Sequence, residues 1–69
     1  MFNKKCKVSF INPKWEFIKQ NVVLDIIPNI SELIYIEELG MYFEVMNVVH
    51  KLNNKQNIFI IIKEFPEKG

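Results

Sequence analysis

Sixty-nine residues with nine lysines, eight acids and a net charge of +1 make one small domain, residues 1–69, and the lysines form no basic stripe of the kind a dedicated DNA binder carries. One cysteine, Cys6, excludes an intrachain disulfide, and there is no Cys/His set for a structural zinc. Hydrophobic residues make up 49% of the chain, so apolar density compensates for small size, and self-association is an expected consequence.

Lys5 to Ile11 reads as a first strand, with Val8 and Phe10 alternating against Lys7 and Ser9. Asn12-Pro13 breaks it, because asparagine bonds locally to the backbone and proline lacks the N–H that a ladder needs. Lys14 to Gln20 reads as an irregular loop with room for a single turn, a long hairpin tip being the alternative. Asn21 to Ile27 is the second expected strand, stopped by Pro28, with a turn over Pro28-Asn29-Ile30-Ser31. Glu32 to Glu37 is the third, bounded by Glu38-Leu39-Gly40, where Gly40 adopts positive φ at little cost. Tyr42 to Leu52 and Ile58 to Phe65 are the strongest strands, rich in β-branched and aromatic residues and joined by Asn53-Asn54-Lys55-Gln56-Asn57, which predicts an antiparallel hairpin. Within Tyr42 to Leu52 the alternation slips. Phe43 and Val45 share one face, and a bulge at Met46-Asn47 returns Val48 to it.

Helical periodicity never holds for three turns, and Pro13, Pro28 and Gly40 cut the chain into pieces too short for stable isolated helices. Five short strands predict an all-β fold, a small closed or nearly closed barrel that hides the edges a run such as Ile58 to Ile62 needs hidden. Lys63, Glu64 and Pro66 follow that run as gatekeepers against aggregation.

Ile27-Pro28-Asn29-Ile30-Ser31-Glu32, then Tyr42 to His50, then Ile58 to Glu64 resemble the pattern Pro-x-Ile-Gly-Glu, strand, Tyr-x-Val-x-x-Val-x-His, apolar strand. That pattern belongs to a group of short uncharacterised bacterial and phage proteins with SH3-like β-barrels. The resemblance spans about half the chain, from Ile27 to Glu64, and implies a five-stranded SH3-like barrel with no particular activity. This chain has Ser31 where the pattern has glycine. The absence of alanine, arginine and threonine fits AT-rich coding and a bacterial or phage source. Without arginine, bidentate recognition of phosphate or guanine is also absent.

No catalytic set is legible. His50, the only histidine, could work as an acid–base unit only with Glu44 or Glu64 beside it. Cys6 has no indicated base or oxyanion hole and reads as a small hydrophobe. Two glycines exclude a glycine-rich phosphate loop. No metal and no cofactor are expected.

Lys14-Trp15-Glu16-Phe17 is the stretch with most binding character. Its aromatic residues either cover an open end of the barrel or face a partner, as aromatics do when they dock extended peptides or stack on bases. Tyr35 and Tyr42 would extend such a surface, or each, alternating with aliphatic neighbours, is an ordinary cross-strand packing residue. Lys14, Trp15, Phe17, Tyr35 and Tyr42 are therefore the candidate partner surface. The expected function is a non-catalytic protein-interaction or assembly module binding another protein or a second copy of itself. The alternatives are a nucleic-acid-binding small barrel and an accessory subunit of an enzyme or phage assembly. The longest wholly apolar run, Ile58 to Ile62, is far shorter than the roughly 18 residues of a membrane helix. No hydrophobic stretch long enough for a signal peptide follows the N-terminal lysines, and a single reduced cysteine, Cys6, fits a cytoplasmic location.

Overall fold

The computed structural model describes residues 5–52 and 56–66. Five strands follow one another: β1 (Cys6–Ile11), β2 (Phe17–Leu24), β3 (Leu33–Ile36), β4 (Met41–Leu52) and β5 (Gln56–Glu64). No helix occurs among the described residues. They form one curled sheet in the order β2-β1-β5-β4-β3, an all-β half-barrel that matches the description of an SH3-like barrel.

Every connection in chain order reverses direction, so with five strands the first and last point the same way. Curling the sheet brings them together as its one parallel pair, with Phe10 opposite Ile60. The other pairs are antiparallel. The curl stops short of closure: among the described residues β2 and β3 each pair on one side only and leave a seam between them. β5 is therefore an interior strand. Pairing on both sides protects its Ile58–Ile62 run in the folded state.

The core lies on the concave face. Val8, Phe10, Ile36, Phe43, Val45, Ile58, Ile60 and Ile62 form it, with Ile18, Val22, Leu24, Ile34 and Val48 packed against it. Period-two alternation accounts for most of this list. The expected bulge is present: Val45 pairs with Ile62 and Asn47 with Ile61, which leaves Met46 extra and sets Val48 opposite Ile60. The fourth and fifth strands pair antiparallel as expected, from Phe43–Glu64 to Leu52–Gln56. Asn53, Asn54 and Lys55 of the predicted joint lie outside the described residues.

The second strand is displaced from its expected position. It begins at Phe17 and ends at Leu24, where the sequence predicts Asn21 to Ile27. The cause is the compact tip before it. Asn12 Oδ1 accepts hydrogen bonds from the Lys14 and Glu16 backbone N–H groups, both at 2.9 Å, and the Trp15 N–H donates to the Asn12 carbonyl at 2.8 Å. Pro13-Lys14-Trp15 is thus a three-residue hairpin loop, and pairing resumes at Phe17, opposite Ile11. The expected irregular loop does not form. Asn21, with φ 57°, interrupts the same strand, because Phe10 pairs with Lys19 while Val8 pairs with Val22.

Candidate functional site

The seam between β2 and β3 holds a groove of about 450 Å³, within the size range of small ligand sites. Phe10, Val22, Leu24, Ile34 and Ile36 line its apolar part, and Ile26 and Pro28 lie on the connection from β2 to β3. Ile26 is 81% exposed, an unusual position for an isoleucine beside so much apolar surface. Lys19, Glu32, Glu37 and Glu38 supply the charged lining. Lys19 Nζ lies 3.0 Å from Glu38 Oε2 and so ties β2 to the turn after β3. The hydrogen bond from Lys19 holds the Glu38 carboxyl below the usual glutamate range.

Two features of the chain place these residues. Asn29 and Glu32 close the turn before β3: the Glu32 N–H donates to the Asn29 carbonyl at 3.1 Å, and Glu32 Oε1 accepts from the Asn29 N–H at 2.9 Å. Ser31 sits inside that turn with φ 79°, at the position where the resembled pattern has glycine. After β3, Gly40 takes φ 64° and donates its N–H to the Ile36 carbonyl at 2.8 Å, which returns the chain into β4.

The candidate residues named from sequence fall in two other places. Trp15 and Phe17, 59% and 55% exposed, border a groove of about 370 Å³ with Ile11, Val49, Lys51 and Phe59. Alternation places Phe59 and Val49 on the convex face, opposite the core. The Phe17 and Phe59 rings meet at 6.2 Å in a tilted contact. Trp15 has φ 66°, so a bulky side chain occupies the left-handed position that hairpin loops of this length prefer to fill with glycine. Lys14 is beside it on the tip, exposed. Tyr35 and Tyr42 pair across β3 and β4 with ring centroids 4.8 Å apart. They line a separate cleft with Gly40, Glu64 and Phe65, and Tyr35 also borders the seam.

The acid–base pairing considered for His50 does not assemble. His50 is opposite Ile58, whereas Glu64 is opposite Phe43 at the far end of the same two strands, on the order of 20 Å away by strand rise. Glu44 pairs with Lys63 on the other face. Cys6 is half-buried and packs against the core. Among the described residues no group of three His, Cys, Asp or Glu side chains gathers in metal-binding fashion.

Sequence reasoning missed the seam itself. One available signal was Val22 to Ile27, where apolar residues do not alternate with polar ones. A second was charge: no lysine occurs between Lys19 and Lys51, so Asp25, Glu32, Glu37, Glu38 and Glu44 are the only charged residues there. That acidic stretch includes β3 and both its turns.

No protein-family model, curated protein or solved structure matches this chain. What stands of the resemblance is therefore the architecture, a small helix-free half-barrel of SH3-like form.

Proposed function

We propose that this chain is a non-catalytic protein-interaction module and that the seam groove receives its partner. The observation that carries this reading is an apolar groove flanked by two strand edges that pair on one side only. Exposed apolar surface next to unsatisfied backbone edges is a liability in isolation and an asset in recognition. The charged groups of the groove are one lysine and three glutamates, a set that suits charge complementarity. An accessory subunit of an enzyme or phage assembly would use the same groove.

Ile26 offers the direct test, because its exposure makes it dispensable for folding. Affinity capture from cells expressing the protein should lose its partner with Ile26→Asp, at an unchanged melting temperature. Retention of that partner by the variant would remove the seam from the interface.

The convex groove favours a second reading. Trp15, Phe17 and Phe59 beside Lys51 are the side-chain types that stack on bases and neutralise phosphate. With a net charge of +1 and no arginine, the expected result is no salt-sensitive binding of single-stranded RNA or DNA near physiological ionic strength. Micromolar affinity that falls steeply with salt would reverse the order of the two readings.

A further inference from the structure

The seam also indicates what kind of partner fits it, given the reading of the groove as the partner surface. β3 is short and regular, and its backbone groups on the seam side pair with no strand. Ile34 and Ile36 line the groove from β3, facing Val22 and Leu24 of β2. Glu32 precedes β3 and Glu37 follows it, so a carboxylate stands at each end of the open edge. The groove's only cation, Lys19, is already held by Glu38. Its lining thus carries three negative charges against one positive.

We propose that the seam takes an extended strand of a partner protein, with apolar side chains at alternate positions and lysine or arginine at both ends, hydrogen-bonded along the open edge of β3. Strand addition supplies affinity through main-chain hydrogen bonds and specificity through alternate side chains. The inward-facing residues of the added strand cover Val22, Leu24 and Ile34, which continues the concave core across the opening. Its terminal cations meet Glu32 and Glu37, about 17 Å apart for five residues of extended chain. Opposite charge at both ends fixes the register of the added strand, which four residues of β3 alone would leave free to slip.

Titration of the ¹⁵N-labelled full chain with three short synthetic peptides tests this. One alternates valine with serine and has lysine at both ends; the second has glutamate at both ends; the third is the lysine-ended peptide fully N-methylated. The lysine-ended peptide should shift the amides of Leu33 to Ile36, and both changes should weaken binding by roughly tenfold or more. Glu37→Lys, at an exposed position, should shift the preference toward the glutamate-ended peptide without altering the melt, and Glu32→Lys should do the same while lowering the melt, because it removes the acceptor of the Asn29 N–H. Seam shifts of equal affinity for all three peptides would refute the basic-ended strand while leaving the seam as partner surface. Shifts confined to Trp15, Val49 and Phe59, or no binding at all, would overturn the seam reading too. A dimer that forms at micromolar concentration through the seam and excludes the peptides would make a second copy the occupant and overturn the proposal.

Discussion

Two residues hold backbone geometry that their side chains disfavour. Ser31 at φ 79° carries the steric penalty of a left-handed L-residue, about 1–2 kcal/mol. Glycine would remove it and return part of the gain as unfolded-state entropy. Ser31→Gly should therefore stabilise the domain by about 0.5–1 kcal/mol in a denaturant titration, with no change in the slope. A destabilised variant would mean that the serine side chain supports the turn. Trp15 poses the same question with a larger side chain. Truncation loses whatever its partly buried indole contributes, and only glycine also relieves φ 66°. Trp15→Gly should melt above Trp15→Ala by several degrees, about 1 kcal/mol in favour of glycine. The reverse order would show that the indole, and not the turn, governs that tip. A Trp kept at a strained and exposed position is the kind of outlier that points toward binding, which is why the convex groove stays in view.

The elements divide into three interior strands, β1, β5 and β4, and two edge strands, β2 and β3. β1 and β5 are paired on both sides and supply Val8, Phe10, Ile58, Ile60 and Ile62 to the core. Ile60 is 0% exposed at the centre of that face. Ile60→Ala should cost about 2–5 kcal/mol, the range for large-to-small deletions in a closed core. In a domain with roughly 5 kcal/mol of stability, that leaves a protein close to unfolding at ordinary temperatures. Ile26→Ala, changing an equally apolar residue outside the core, should move the melt by less than about 0.5 kcal/mol. Equal costs at the two positions would contradict the placement of the core. The bulge at Met46 belongs to this scale as well. It keeps β4 in register with β5 while allowing the sheet to bend, and a broken alternation in a long strand is enough to locate it. The start of β2 was less legible, because local side-chain hydrogen bonds from Asn12 compete with any pattern of apolar spacing.

The whole molecule is an incompletely closed barrel, and its association should reflect the size of the opening. β3 is only four residues long, so edge-to-edge pairing of two copies buries far less than the ~800 Å² per partner of a standard interface. Sedimentation should show a monomer at micromolar concentration and a weak dimer at millimolar concentration. A monomer throughout would overturn the weak dimer.

The residues by themselves determined the all-β class, four of the five strands to within a few positions, the Met46 bulge and the glycine turn at Gly40, since each follows from local sterics and period-two burial. Which strands become neighbours was decided only in three dimensions. The parallel pairing of β1 with β5 joins the two ends of the chain, and no local pattern encodes a contact of that separation. The same closure sets where the sheet stops. It makes interior strands of the most apolar segments and leaves β2 and β3 as open edges, β3 within an acidic stretch of chain, and that placement produces the groove.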